Sequence, residues 1–144
     1  EFECKALLDL LVYDAKRNAI CPFDFKITGY NTLFNIPFNK FKYGVQAEWY
    51  TNAIYANRDH IANLFGIPNT FTVDDFKFIV ESYSNPGMPL IYELKLETIV
   101  DAQLMIKEGL DLYKWHKTND IWHTSKDIYN SKGRLSIWVL ETEL

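Results

Sequence analysis

The 144-residue sequence predicts an α/β or α+β fold in which helices flank a central mixed β-sheet. Two observations lead to this fold class. The chain opens with two strand-like stretches followed by a long segment of helical pattern, and the order strand, strand, helix then repeats. The length and the hydrophobic fraction of 48% suit one domain with its own core, so we expect residues 1–144 to form a single domain.

The first two strands are predicted to form a hairpin. Residues 4–13 are mainly apolar, as in a strand that is buried on both faces. The polar cluster 14–18 has the length of a hairpin turn, and residues 19–28 supply the return strand. Within that strand Pro22 favours a bulge or an edge position, because proline has no N–H to donate to a central ladder.

The later elements follow from helical periodicity, caps and turn residues. Gly66 marks the end of the longest helical pattern, and the turn Asn85-Pro86-Gly87 separates two strands. In chain order we predict a short helical connection over 31–41, a helix over 44–65, strands over 76–82 and 90–96, a helix over 98–117 and a last strand over 133–140.

Composition narrows the class of protein. Cys4 and Cys21 are too few for a disulfide scaffold or a four-cysteine iron–sulfur site, and two reduced thiols in a cytoplasmic protein are expected. The net charge of −4 gives no overall basic surface for nucleic acid, so DNA binding would need a local basic strip. No apolar run is long enough to cross a bilayer, and we expect no membrane partner.

Three side chains of the predicted hairpin suit metal chemistry. Asp24 and Lys26 share one strand face because side chains alternate, and Asp9 lies on the adjacent strand. Two carboxylates and the backbone carbonyl of Phe25 would suffice to hold Mg²⁺ or Mn²⁺ against a phosphodiester. The ammonium of Lys26 would orient water or offset charge. In the alternative interpretation, Asp24 and Lys26 are an exposed edge pair and Asp9 is a buried hydrogen-bond acceptor.

The helix over 44–65 contributes further candidates. Gln46 and Tyr50 lie one turn apart and would line the metal site. Lys40 and Lys42, just before this helix, are placed to bind phosphate. Glu48 lies on the same helix but points away from Gln46, and we expect it to be solvated.

The stretches CKALLDLLVYD, PFDFKITG and KYGVQAEWYTNAI, in this order, resemble the PD-(D/E)xK nuclease superfamily. The similarity covers about residues 4–117 and is greatest to the RecB-like and RecE-like exonucleases and the Cas4-like group. It implies a restriction-endonuclease-like core with Asp9 and Asp24 as metal ligands and Lys26 as the catalytic lysine. Gln46 and Tyr50 would line the site, in contact with DNA or with the catalytic residues.

The resemblance implies a metal-dependent DNA nuclease, exonuclease-like, used in recombination or repair, with a phage as one candidate source. Because such nucleases commonly carry an upstream helix with a His or Glu, we expect this chain to be a fragment without its N-terminal helical part. Two alternatives stay open. One is a DNA- or protein-binding module that keeps the fold without cutting, and the other is an unrelated interaction domain with Asp9 and Asp24 on different sheet faces. A homo-oligomer or a larger recombination complex also stays open.

Several other residues have weaker claims to a site. Glu3 is a distant candidate metal ligand on the first strand. His60, His116 and His123 lack the spacing of a zinc site, and we expect surface histidines. A set of cationic and aromatic residues near the C-terminus forms either a phosphate- and base-binding strip or a solvated helix end with core tryptophans. Its members are Lys114, Trp115, Lys117, Trp122, Lys126, Tyr129, Lys132, Arg134 and Trp138.

Overall fold

The computed structural model describes residues 3–132. The elements in this range are β1 (Leu10–Asp14), β2 (Ala19–Thr28), a 3₁₀ helix (Asn31–Leu33), α1 (Asn35–Lys40), α2 (Tyr43–Ala56), α3 (Arg58–Phe65), β3 (Thr72–Val73), β4 (Lys77–Ser82), β5 (Leu90–Glu93), α4 (Leu96–Asn119) and α5 (Lys126–Ser131). The strand predicted over 133–140 lies outside the described residues.

The five described strands form one mixed sheet, which confirms the predicted class of a mixed sheet flanked by helices. The order is β1-β2-β4-β5, with the short β3 also paired to β2. β1 runs antiparallel to β2, whereas β3 and β4 run parallel to it. Since parallel neighbours need a crossover connection, α1, α2 and α3 occupy the chain between β2 and β4. The longest strand, β2, is central because it pairs with β1, β3 and β4.

One face of this sheet carries the core. Phe78 and Val80 of β4 are fully buried and pack in a cluster with Phe34 and Ala47 of the helical layer. On the other face, Ala19 and Cys21 at the start of β2 are buried, whereas Phe25 is 51% and Ile27 76% exposed. In its second half β2 therefore alternates between a helix-covered face and an exposed one.

The first strand is shorter than predicted. β1 begins at Leu10 instead of residue 4, and Leu7 is 82% exposed, so this segment is not buried on both faces. The side chain of Asp9 explains the start of the strand. Its Oδ2 accepts the backbone N–H of Phe25 at 2.9 Å, a donor that a longer β1 would bind through a backbone carbonyl.

The return strand has the predicted bounds, but Pro22 is not at an edge or in a bulge. It lies fully buried in the central strand, paired with Leu11 of β1. On the other side of β2 the register explains how proline is tolerated. β3 pairs with residues 19–20 and β4 with residues 23–28, so Pro22 falls between the two paired stretches.

The helix predicted over 44–65 is two helices, α2 and α3, with Asn57 between them. Asn57 leaves helical geometry at φ −112° and ψ 27°, and its side-chain amide donates to the carbonyl of Ala53 at 2.8 Å. A local side-chain bond of this kind competes with the helical backbone pattern. The predicted end is confirmed: Gly66 adopts φ 65°, and Ile67 N–H bonds the carbonyl of Ala62 in the manner of a helix C-cap.

The second half follows the prediction with shifted boundaries. β5 ends at Glu93, because α4 starts at Leu96, two residues before the predicted start. The two-residue strand β3 and the short helix α5 were not predicted. The start of α5 is capped by Ser125, whose Oγ accepts the N–H of Ile128 at 3.3 Å.

The chain divides into two compact units within α4, between Ile106 and Lys107. The first unit contains the whole sheet and α1–α3. In the second unit, Trp115 packs against Tyr129 with ring centroids 5.7 Å apart. Of the described helices, none has the length and apolar character needed to cross a membrane. The expectation of a single nuclease-like domain stays a prediction.

Candidate active site

Asp24 and Lys26 lie on the helix-covered face of β2. Asp24 is 2% exposed, and the ammonium of Lys26 forms an ion pair with its Oδ2. The ammonium also lies 4.5 Å from the centroid of the Tyr43 ring, at the start of α2. The alternative of an exposed edge pair is wrong, because Asp24 is buried and only 18% of the Lys26 side chain is exposed.

Asp9 approaches the same point from the neighbouring strand. Leu10 pairs with Phe23, so the next position in this register places Asp9 across from Asp24. The hydrogen bond from Phe25 N–H holds the Asp9 carboxylate against β2, although Asp9 itself is exposed. It therefore accepts a hydrogen bond, as the alternative interpretation expected, but it is not buried. An accidental motif with the two aspartates on different faces does not match this arrangement.

The pKa of Asp24 is raised above its ordinary value. Burial is the main cause, since it disfavours the charged form, and the negative charge of Asp9 acts in the same direction. The ion pair with Lys26 opposes both effects. Oδ2 is fully buried and has no hydrogen-bond partner among the described residues, so its stabilisation depends on the Lys26 charge. Two ionised carboxylates with one ammonium have a net negative charge, which favours a further cation.

α2 brings Gln46 to this site. Its Nε2 donates to Asp24 Oδ1 at 3.0 Å, so Gln46 orients the carboxylate through a side-chain bond between helix and sheet. Tyr50, one turn later, packs in the core with its ring centroid 6.1 Å from that of Phe76. Within the described residues its hydroxyl makes no hydrogen bond. The structure thus joins Gln46 to the carboxylate pair and places Tyr50 in the supporting core.

Lys40 and Lys42 precede α2: Lys40 is the last residue of α1, and Lys42 is the residue before Tyr43. Both are exposed, and neither forms an ion pair with a described residue. Lys40 lies over the ring of Phe41, at 5.2 Å from its centroid, and Lys42 adopts a left-handed conformation with φ 56° immediately before the helix. Their ammonium groups are accordingly available to an anion.

Tyr43 is a site residue that sequence reasoning missed. Its ring lies under the Lys26 ammonium and stacks on Phe34, with centroids 5.8 Å apart. A cation over an aromatic face is stabilised by the ring quadrupole, so Tyr43 fixes the position of the lysine head. The one signal in the sequence is an aromatic residue at the start of the Gln46 helix.

The residues present suit a hard divalent cation. Asp9 and Asp24 supply carboxylate oxygens, and the buried Oδ2 of Asp24 has the Lys26 ion pair but no hydrogen-bond donor among the described residues. Mg²⁺ is commonly bound by one or two carboxylates with water completing its shell. No group of three or more His, Cys, Asp or Glu side chains within residues 3–132 is arranged to hold a metal ion. Glu3 therefore does not complete a three-residue ligand set with the two aspartates.

The remaining candidates lie apart from this carboxylate pair in the sequence. His60 and His123 are exposed, and His116 bonds the backbone carbonyl of Ile121 through Nδ1. In the second unit, Trp122 is largely exposed and stacks on His116. The described lysines of the cationic and aromatic set are also exposed, whereas its Arg134 and Trp138 lie outside the described residues. A binding strip and a solvated helix end both stay predictions, but Trp122 is not in the core as the second interpretation expected.

Comparison of the chain with protein-family models and with curated proteins found no match. The assignment of a function therefore depends on the residues and contacts described above.

Proposed function

We propose that this chain is a Mg²⁺- or Mn²⁺-dependent DNA nuclease with a restriction-endonuclease-like core. The observation that carries the proposal is the convergence of Asp9, Asp24 and Lys26 at one point of the sheet. A buried carboxylate whose Oδ2 contacts only the Lys26 ammonium among the described residues, beside a second carboxylate, suits a cation, and a lysine at that site suits an anionic substrate such as a phosphodiester.

The side chains have separate roles in the proposed reaction. Asp9 and Asp24 would hold the cation, with the carbonyl of Phe25 as a third ligand. When bound, the ion supplies a water of lowered pKa and neutralises phosphate charge. Gln46 keeps Asp24 in position by its bond to Oδ1. Lys26 pairs with Asp24 in the resting state and would offset the charge that develops on the phosphate during cleavage.

Lys40 and Lys42 would bind the DNA backbone beside this centre. Their ammonium groups carry no intramolecular ion pair in the described part of the chain, so binding a phosphate breaks no existing contact of that kind. Each phosphate contact releases condensed counterions from DNA and thereby adds affinity that depends on salt.

A second candidate function is a DNA- or protein-binding module that keeps this fold without cutting. The observation in its favour is the ligand set, which contains two carboxylates and no third acidic or histidine side chain among residues 3–132. The ion pair between Lys26 and Asp24 would then stabilise the fold alone. Metal binding distinguishes the two functions, because the non-catalytic module needs none.

The decisive experiment is a cleavage assay on linear DNA with Mg²⁺ or Mn²⁺, using the protein with any native sequence that precedes this chain. We expect Lys26→Ala and Asp24→Asn each to lower the rate by roughly 10²–10⁴-fold, since each removes a charge that acts on the reacting phosphate. Lys95→Ala is the matched control, because Lys95 is exposed and lies in no described ion pair. Cleavage that survives Lys26→Ala or Asp24→Asn contradicts the proposed site. If the protein binds DNA but neither cleaves it nor binds Mn²⁺, the second candidate function is supported.

A further inference from the structure

Glu48 is a buried carboxylate on the opposite side of α2 from Gln46. The expectation that it is solvated is wrong: Glu48 is 9% exposed. Gln103 of α4 donates to its Oε1 at 2.9 Å, and this is the one hydrogen bond that the described residues give the carboxylate. No lysine, arginine or histidine among them pairs with it. Burying a carboxylate with a single neutral donor and no cationic partner is costly. A bound cation would therefore stabilise the Glu48 side chain.

Glu48 lines a cavity of about 280 Å³ in the first unit. Thr51, Asn52 and Gln103 are polar residues of the same lining, and Phe76 is an apolar one. This volume lies near the lower end of the range for small-molecule sites. At 100° per residue, Glu48 is turned by about 200° from Gln46 around the helix axis, so the cavity and the Asp24 site lie on different sides of α2.

Two further carboxylates in the lining differ in their partners. Asp74 is already neutralised, with Arg17 Nη2 at 2.9 Å and Lys77 Nζ at 3.6 Å from its Oδ2. Asp75 is exposed and has no ion pair within the described residues. The uncompensated negative charge of the cavity therefore comes from Glu48 inside and Asp75 at the exposed side.

We propose that this cavity binds a small organic cation: an ammonium or guanidinium group on a short apolar stem. The charged head pairs with the free Oε2 of Glu48 and is also attracted by Asp75, while the stem lies against Phe76. A free amine and a basic side chain of a peptide share this chemistry. An inorganic ion fits less well, because no three His, Cys, Asp or Glu side chains among residues 3–132 are arranged to hold a metal ion, and an ion gains nothing from the apolar wall. The inference stands independently of the proposed nuclease activity.

The test uses 1,4-diaminobutane and butylguanidine as probes and butane-1,4-diol as the neutral analogue of the diamine. Binding to the full chain is followed by NMR chemical shifts of the Thr51 and Gln103 resonances. We expect saturable binding of both cations and at least tenfold weaker binding of the diol. Glu48→Gln keeps the acceptor for Gln103 but removes the charge, and should weaken cation binding at least tenfold. Glu97→Gln, a charge-matched change at an exposed position of α4, should leave it unchanged.

A second variant guards against a folding defect in Glu48→Gln. Asn52 is exposed on α2, so Asn52→Lys places an ammonium at the cavity without disturbing the core and should abolish binding of both cations, whereas Asn52→Gln should retain it. Equal affinity for diamine and diol, no binding of either cation, or binding unaffected by both Glu48→Gln and Asn52→Lys overturns the proposal. An end-blocked Gly-Arg-Gly peptide distinguishes the sources: tighter binding than butylguanidine supports a peptide side chain, and weaker binding supports a free amine.

Discussion

Asp24 is the residue through which pH acts on the proposed metal site. Burial and Asp9 favour its neutral form, and Lys26 favours its charged form, with a net rise in pKa. A raised pKa in the folded state means that protonated Asp24 persists to a higher pH than in an unfolded chain, for which the pKa is 3.8. This group therefore favours folding at low pH, and its contribution is lost as the pH rises through the folded-state value.

The same shift makes metal binding depend on pH. Because a cation needs the deprotonated carboxylate, we expect the affinity for Mn²⁺ to fall as the pH is lowered from neutral through the raised pKa of Asp24, and binding to release a proton within that range. Calorimetry over a pH series, in two buffers of different ionisation enthalpy, measures both effects. Asp24→Asn should remove the pH dependence together with the binding. An affinity that stays constant down to pH 4 would show that Asp24 does not bind the ion.

At the scale of elements, Arg17 ties the β1–β2 turn to the segment after β3. Its Nε lies 2.7 Å from Asp14 Oδ2, and its Nη1 and Nη2 donate to the two carboxylate oxygens of Asp74 at 3.1 and 2.9 Å. Hydrogen bonds from Arg17 are the main reason that the pKa values of Asp14 and Asp74 are lowered. The stabilisation is present above the unfolded value of 3.8 and is lost as the pH falls through the lowered folded values.

Arg17→Gln should therefore lower the urea midpoint more at pH 6 than at pH 2.5, because the Asp14 and Asp74 carboxylates lose charge, and with it their attraction to the guanidinium, as the pH falls. The control is Lys16→Gln, which removes one positive charge next to Arg17 from a side chain with no described ion pair. An equal loss of stability at the two pH values would indicate that Arg17 acts through packing of its stem and not through its charge.

Sequence patterns predicted most elements, and the errors have local physical causes. The bounds of β2 follow from apolar content and its polar turn, and the end of α3 follows from Gly66. The start of β1 was missed because a side chain of Asp9, not a backbone group, takes the Phe25 N–H. The break between α2 and α3 was missed because it arises from a side-chain bond of Asn57 within an otherwise helical pattern.

The part of the site that depends on local strand geometry was predictable from the sequence. Strand alternation puts Asp24 and Lys26 on one face, and hairpin register brings Asp9 beside them. The bond from Gln46 to Asp24 and the ring of Tyr43 under Lys26 depend on how α2 packs on the sheet, which no local pattern encodes. The burial of Glu48 was missed for the same reason.

For the molecule as a whole, a net charge of −4 means that DNA binding has to come from a local cationic surface. Lys40 and Lys42 are exposed lysines just before α2, the helix that carries Tyr43 and Gln46. We expect Lys40→Gln with Lys42→Asn to reduce the slope of log K against log salt by about 1.4–1.8, which corresponds to two lost phosphate contacts. Asparagine is chosen at position 42 because it tolerates the left-handed backbone there. Fluorescence anisotropy in a salt series measures the slope.

The matched control for this pair is Lys107→Gln with Lys16→Gln, which changes the net charge equally at exposed positions that belong neither to α1 or α2 nor to the segment between them. This variant should retain the slope of the unmodified protein. An equal reduction in both double variants would indicate that binding follows the total charge of the molecule and not a surface beside the carboxylate pair.

The two faces of the sheet differ in burial at the second half of β2, and this asymmetry makes two similar substitutions differ in their effects. Val80 of β4 is fully buried under the helices, whereas Ile27 of β2 is exposed on the opposite face. Val80→Thr places a hydroxyl in the core without a partner and should lower the free energy of unfolding by about 1–3 kcal/mol. Ile27→Thr removes little buried area and should change it by less than about 0.5 kcal/mol. Urea unfolding of both variants measures the difference, and a large loss for Ile27→Thr would mean that this face is covered in solution.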